Sequence, residues 1–290
     1  MKFKKTNKVQ YDQNQVLSIS KKFGVSNDVA EIILQRGFCD DVEIAKFLNP
    51  RLEDMHDPYL FNDMDKVVAR IRKALNDNES ILIFGDYDVD GITSSYILLD
   101  YFRSVGSNAN TFLPNRYSDG YGLTRDAVNY VINEFEPSLI ITVDCGISGY
   151  EEIEYIKSKG IDVIVTDHHD CPEVLPDCLV IDAKIPNQRY PFRELCGAGV
   201  ALKLVEALSN KDTMKKYLPV CAIATVSDIV PLVDENRVIV KYGLDAPLKA
   251  FPDGIVALCK ELKLGNKITS QDISFKLAPK LNASGRMGDA

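Results

Sequence analysis

The sequence is poor in the features that organise secreted, zinc-knuckle or membrane proteins. Its seven cysteines are odd in number and form no C-x-x-C pair. A disulfide framework or zinc knuckle is therefore not expected, and the cysteines read as reduced thiols in a cytoplasmic protein. Long apolar runs are missing too. ILIF, LIITV and VIV fall far short of the roughly 20 residues that span a bilayer. The basic start MKFKKTNK leads into no apolar segment, so it does not read as a secretory signal. Positive charge is scarce: 34 Lys and Arg stand against 42 Asp and Glu, a formal charge of −8. A nucleic-acid binder usually shows a basic footprint. The deficit excludes little, however. Carboxylates gathered around bound cations count as negative in the sum yet are neutralised when loaded, and a basic groove can occupy one face of an acidic chain.

What is present is ordinary globular composition, 46% hydrophobic and 26% charged over 290 residues, enough for one large domain or two smaller ones. Residues 1–75 read as a small helical region. QNQVLSISKKFG and SNDVAEIILQRG carry helical apolar periodicity, the second with Ser26 as N-cap and an end before Gly37. MDKVVARIRKALNDN is an amphipathic helix. From residue 80 short apolar runs alternate with helical stretches: ILIFG, ANTFLP, LIITVD, DVIVTD and CLVID, separated by segments such as ITSSYILLDYFRSVG and YEEIEYIKSKG. This rhythm predicts an α/β fold, a parallel sheet with helices on both faces. Residues 197–250 read as mostly helical. The chain ends in LAPKLNASGRMGDA without a capping signal or polar tail, and it is expected to be part of a longer protein.

Carboxylates recur where strands end. Asp86, Asp88 and Asp90 follow ILIFG, Asp144 ends LIITVD, Asp167 with His168 and His169 ends VIVTDHH, and Asp182 ends CLVID. In an open parallel sheet, ligands bind beyond the carboxyl ends of the strands. Turns favour Asp on their own account, but two of the three histidines stand side by side at one of these ends. Three readings of GDYDVDGIT compete. A calcium loop needs a preceding helix and a glutamate at its twelfth position; counted from Asp86 that position is Ile97, and a strand precedes. A D-x-D-G-x-T phosphatase nucleophile fits locally but leaves the DHH triplet unexplained. A wider metal site uses every group, because oxygen ligands with one or two imidazoles suit Mn2+ or Mg2+. Two such ions about 3.5–4 Å apart can activate a water and clamp a phosphoryl group. GAGVALKL is weighed as a phosphate cradle or as tight helix packing, and packing is preferred since a lone Gly-x-Gly is weak.

GDYDVDG, VDCG, VTDHHD and VSDIVPL together resemble, in order and placement, the four motifs of the DHH phosphoesterases. Within them, LNPRLEDMHDPYLFNDMDKVVARI, LPNRYSDGYGL and APKLNASGRMGDA resemble the branch of single-strand-specific 5′→3′ exonucleases. The resemblance spans nearly the whole chain. It implies a Rossmann-like catalytic domain over 76–275 and, at 276–290, the start of a connector to a second catalytic subdomain. It implies metal ligands at Asp88, Asp90, Asp144, His168 and Asp228, with Asp144 as the bridge and Asp86 beside them as a further metal ligand or as a hydrogen-bond acceptor behind the ligands. The chain departs from relatives with a histidine in the first motif, which would stand near Phe84. His169 matches a catalytic residue facing the scissile phosphate, with Asp167 orienting the histidine pair. Arg116 and Arg286 match substrate-phosphate contacts, while Tyr117 and Tyr121 are candidates for base stacking.

The expected activity is two-ion hydrolysis, with Mn2+ or Mg2+, of single-stranded DNA from its 5′ end to nucleoside 5′-monophosphates. The setting is cytoplasmic DNA repair and recombination, with a single-strand-binding protein or helicase as further partner and no membrane. Two rivals stand beside it: a DHH phosphodiesterase for short oligonucleotides or cyclic dinucleotides, and a non-catalytic domain that binds DNA or a partner. Each residue also has a plainer reading. Asp228 could simply end a helix, and Arg116 could be a surface arginine.

Overall fold

The computed structural model describes residues 11–114 and 122–287, except the side chains of 285–287. Contacts divide the chain into two compact units, Met1–Asp54 and Met55–Ala290. In the first, α1 (Gln13–Phe23), α2 (Asn27–Gln35) and α3 (Asp41–Leu48) are each started by a polar side chain on backbone N–H groups: Asp12 in a capping box with Gln15, then Ser26, then Asp40. Such caps satisfy donors that the first helical turn leaves open. Val16, Ile19, Ala30, Ile33, Leu34 and Ile44 form this unit's buried core.

The second unit begins with a 3-10 turn, Pro58–Leu60, and α4 (Met64–Asn76). Then come β1 (Ile81–Phe84), α5 (Val89–Ser104), β2 (Asn110–Phe112), α6 (Arg125–Phe135), β3 (Leu139–Val143), α7 (Tyr150–Ser158), β4 (Asp162–Thr166) and β5 (Leu179–Ile181). All strand pairs are parallel, and the order is β2-β1-β3-β4-β5. Every residue of β1 and β3 is buried, as expected of strands covered on both faces. Strand alternation sends Leu82, Phe84, Ile140, Val163 and Val165 into a core with Val128 and Val131 of α6 and Ile153 and Ile156 of α7. The opposite face carries α5, which also packs on α8 (Gly197–Leu208). The predicted α/β sheet with helices on both faces is thus the observed fold. Its order reverses between β1 and β3, the position where such sheets open a crevice.

The remainder is helical: α9 (Lys211–Lys215), α10 (Leu218–Ser227), α11 (Asp234–Asp245), α12 (Asp253–Glu261), α13 (Ser270–Asp272), a π-helical turn Ile273–Leu277, and α14 (Ala278–Met287). Val89 at the start of α5 joins Ile223, Val226, Phe251, Ile273 and Leu277 in a second core. Val89 N also donates to Asn282 Oδ1 at 3.1 Å, so the NASGR segment begins beside the first motif. No helix among the described residues is long and apolar enough to cross a membrane.

Away from the sheet edge lies a buried ionic cluster. The Lys203 ammonium is fully buried. It meets Glu206 Oε2 at 2.8 Å, Glu235 Oε1 at 3.1 Å and the His56 carbonyl. The Tyr190 hydroxyl donates to Glu235, and Phe61 stacks on the Tyr190 ring. The cluster ties α8 to the start of α11.

Candidate metal centre

The turn after β1 explains the spacing of the first motif. Asp86 is buried and accepts Tyr87 N at 2.7 Å. Asp88 is the N-cap of α5, accepting Asp90 N at 2.9 Å and Gly91 N at 3.0 Å. Gly91 is required because a Cβ there would run into the Asp86 carbonyl. Asp90 points the other way, into the N-terminus of α8, and accepts Gly197 N at 2.6 Å and Ala198 N at 2.8 Å. An anionic acceptor suits a helix N-terminus. The N–H groups of GAGVALKL therefore hold a carboxylate of the protein itself, in line with packing.

Asp144 follows β3 across the switch point and adopts a left-handed φ of 59°. For a residue with a Cβ this costs roughly 1–2 kcal/mol. The strain is held in place by Asp144 N donating to Thr166 O at 3.0 Å and Thr142 Oγ1 donating to Cys145 O at 2.7 Å. Gly197 lets the helix approach: a Cβ on it would lie 2.7 Å from Asp144 Cβ and 2.8 Å from Oδ1. Asp144 Oδ1 is buried and has no hydrogen-bond partner. His168 Nε2 stands 3.0 Å away, yet the two do not bond; they direct ligand atoms into one space. The same nitrogen lies 3.7 Å from Asp90 Oδ2 and 3.9 Å from Asp228 Oδ2. Asp228 is the C-cap of α10, so it ends a helix and also faces the cluster.

Asp167 organises the histidine pair. Its Oδ1 accepts His168 N at 2.7 Å and lies 2.7 Å from His169 Nδ1, and its Oδ2 accepts Ile147 N at 2.9 Å. Ligand-bearing atoms group as three triads: Asp86, Asp88 and Asp144; Asp90, His168 and Asp228; Asp144, His168 and His169. Asp144 and His168 each belong to two. All six candidate ligands, with His169 and Asp167, thus converge on one edge of the sheet. Arg116, Tyr117 and Tyr121 lie outside the described residues, as does the side chain of Arg286, whose backbone belongs to α14.

The electrostatics are those of an acidic pocket short of cations. Burial outweighs the Tyr87 hydrogen bond and, with Asp88 close by, pushes Asp86 up to about 6. Burial and then the Asp90 and Asp88 charges push Asp228 up to about 7. Asp144 is driven well above the carboxylate range by burial first, then by Asp90 and Asp88. His168 is lowered, chiefly by burial. His169 is raised to about 8, first by its bond to Asp167. For Asp167 burial works upward, but the bonds from His169, Ile147 and His168 win and hold it below its ordinary value. Among the described residues no Lys or Arg forms an ion pair with Asp86, Asp88, Asp90, Asp144 or Asp228, and His168 is the one basic side chain within 4 Å of the carboxylates of Asp90, Asp144 and Asp228. A hard divalent cation with oxygen and imidazole ligands fits this donor set, and the orphaned Asp144 Oδ1 is where one would bind.

Two features escaped the sequence reading of roles. Asp182, noted there as a strand end, is buried with Oδ2 unpartnered, its Oδ1 accepts Lys184 N at 2.7 Å, and burial pushes it up to about 7. A cleft of about 230 Å3 beside His169 is lined by Leu123, Ser148, Glu152 and the Cys145–Gly146–Ile147 turn. Its walls come from three separate strand-end loops, so no local pattern announces it.

Residues 80–225 match the model of the DHH family, N-terminal domain. The single-stranded-DNA-specific exonuclease RecJ of Bacillus subtilis (strain 168) is 38% identical over 283 residues, 96% of this chain and 36% of that protein. Among solved structures, RecJ in complex with Mn2+ from Thermus thermophilus superposes with a TM-score of 0.78 at 27% identity, covering 94% of this chain and 39% of that one. An exonuclease RecJ bound to manganese gives 0.72 at 30% identity, covering 79% and 58%. The chain thus spans little more than a third of the length of the curated relative.

Proposed function

Because the chain belongs to the DHH family, we propose that it is the first catalytic part of a metal-dependent exonuclease that hydrolyses single-stranded DNA from the 5′ end to nucleoside 5′-monophosphates. One observation carries this reading. A buried, strained aspartate, Asp144, keeps an unpartnered oxygen where a carboxylate triad with Asp86 and Asp88 meets a triad with His168 and His169 at the sheet's switch point. The identity to single-stranded-DNA-specific exonucleases supports the substrate class.

Asp86 and Asp88 would hold one divalent cation and Asp90, His168 and Asp228 the other, with Asp144 shared. When bound, Mn2+ or Mg2+ supplies Lewis-acid polarisation of the phosphoryl group and a water that is nucleophilic at neutral pH. The protein's own groups do the rest. The N–H groups of α8 fix Asp90, and the Thr166 carbonyl fixes the Asp144 backbone. Asp167 accepts from His169 Nδ1 and favours the charged imidazolium, whose pKa is raised to about 8 so that it is protonated at neutral pH, leaving Nε2–H to donate toward charge growing on a phosphoryl oxygen. Arg116 and Arg286 are assigned to substrate phosphates. The setting would be cytoplasmic DNA repair and recombination, with a single-strand-binding protein or helicase supplying the strand.

The test is degradation of a 3′-labelled single-stranded 30-mer with Mn2+, beside a duplex and the Asp144→Ala variant. Progressive shortening that spares the duplex and is lost in the variant is the expected result. Cleavage confined to dimers or cyclic dinucleotides would replace this reading with that of a short-substrate phosphodiesterase.

A further inference from the structure

Helices commonly end with a left-handed residue just after the C-cap, and glycine usually fills it. After Asp228, the C-cap of α10, that residue is Ile229, with φ 61°. A β-branched side chain is among the least tolerant of this conformation. Ile229 gains nothing from packing in return, since it is 87% exposed. On stability alone glycine would be better on both counts. A strained, solvent-facing apolar residue is a mark of a functional contact.

Its surroundings say which contact. Ile229 is bonded to Asp228, whose Oδ2 lies 3.9 Å from His168 Nε2, so it stands at the rim of the metal centre. The stretch that follows, Val230, Pro231, Leu232 and Val233, carries no charge, and Pro231 and Leu232 are exposed as well. No charged side chain in this stretch would hold a phosphate, whereas its exposed apolar side chains suit the face of an unpaired base. The lip is held firmly: Asn236 Nδ2 donates to Pro231 O at 3.0 Å and also to the Glu194 carbonyl, and Glu235 is locked to Lys203 and Tyr190.

We propose that Ile229 is a substrate-contacting residue that packs against an unpaired base next to the scissile phosphate. The inference rests on the reading of the chain as a single-strand nuclease and adds to it a source of single-strand selectivity. In a duplex, pairing holds each base in the helix, whereas an unpaired base near the 5′ end is free to turn a face onto Ile229.

The experiment measures, for the full chain with Mn2+, the binding of a fluorescent single-stranded 12-mer with a non-hydrolysable backbone at the 5′ end. Wild type is compared with Ile229→Gly, Ile229→Asn and Ile229→Val. A second 12-mer carries abasic sugars at its first three positions. Each variant's thermal midpoint and Mn2+ binding are recorded alongside. Gly and Asn variants should melt at or above the parent temperature, bind Mn2+ as the parent does, and bind the 12-mer about 5- to 10-fold more weakly, as loss of an apolar contact with one base implies. Ile229→Val should keep parental affinity. The abasic 12-mer should lose the same factor with wild type and no further factor with Ile229→Gly. Unchanged affinity in the Gly and Asn variants, or a lower melting point for both, overturns the base contact while leaving the nuclease reading intact. A wild-type chain that binds no single strand overturns both together.

Discussion

The molecule buries two acidic clusters and treats them in opposite ways. Around Lys203, the carboxylates of Glu206 and Glu235 are closed off by an internal ammonium and a tyrosine hydroxyl. At the sheet edge, Asp86, Asp90 and Asp144 are as deeply buried, but among the described residues only backbone N–H groups donate to Asp86 and Asp90, and Asp144 Oδ1 has no hydrogen-bond partner. A buried charge costs several kcal/mol unless it is paired. One cluster carries its cation in the sequence, and the other is built to take one from solution. Burial with internal pairing is architecture; burial without it leaves ligand atoms suited to a divalent cation.

That contrast is exposed to substitutions whose signs should differ. The largest effect is on chemistry: Asp144→Asn should lower nuclease activity by about 10^3-fold or more, since it removes the shared ligand of an electrostatically stabilised transition state. The metal-free chain should meanwhile become more stable, by on the order of 1 kcal/mol in urea unfolding, because a buried like charge is gone. Lys203→Met should do the reverse, destabilising the chain by about 3–5 kcal/mol as two buried glutamates lose their partner, whether or not Mn2+ is present. If both substitutions shift stability in the same direction, the distinction between the clusters fails. A smaller effect is expected from Gly197→Ala. Its Cβ would sit 2.7 Å from Asp144 Cβ, and the displaced carboxylate should weaken Mn2+ binding about 10- to 100-fold, the range for disturbing a ligand's support. Unaltered affinity would show that Asp144 has room to move.

The two clusters also differ in how far the sequence revealed them. The candidate metal-site residues other than Asp228, which ends α10, were legible because they follow a β-run, and alternating strands and helices imply that strand ends share an edge. GDYDVDG and VTDHHD could thus be placed near each other before any coordinates. The cluster around Lys203 was not legible. Its partners come from the segment near His56, from α8 and from α11, and no local pattern records a pairing across 147 residues. The same limit hid the clamp of α8 on Asp90: Gly197 reads as a packing glycine, which it is, but its N–H donation spans 107 positions. Asp228 shows how two readings can both hold, since the residue that ends α10 also turns its carboxylate toward His168. The strain at Ile229 is invisible in a string of letters because it lives in a backbone angle.

The most direct test of the central claim is calorimetric titration of Mn2+ into the metal-stripped chain, its Asp228→Asn variant and its Asp144→Asn variant. If Asp144 joins two cation sites, wild type should take up two ions, Asp228→Asn should hold one of them with near-parental affinity, and Asp144→Asn should lose tight binding of both. Two ions bound by Asp144→Asn at parental affinity would contradict the account.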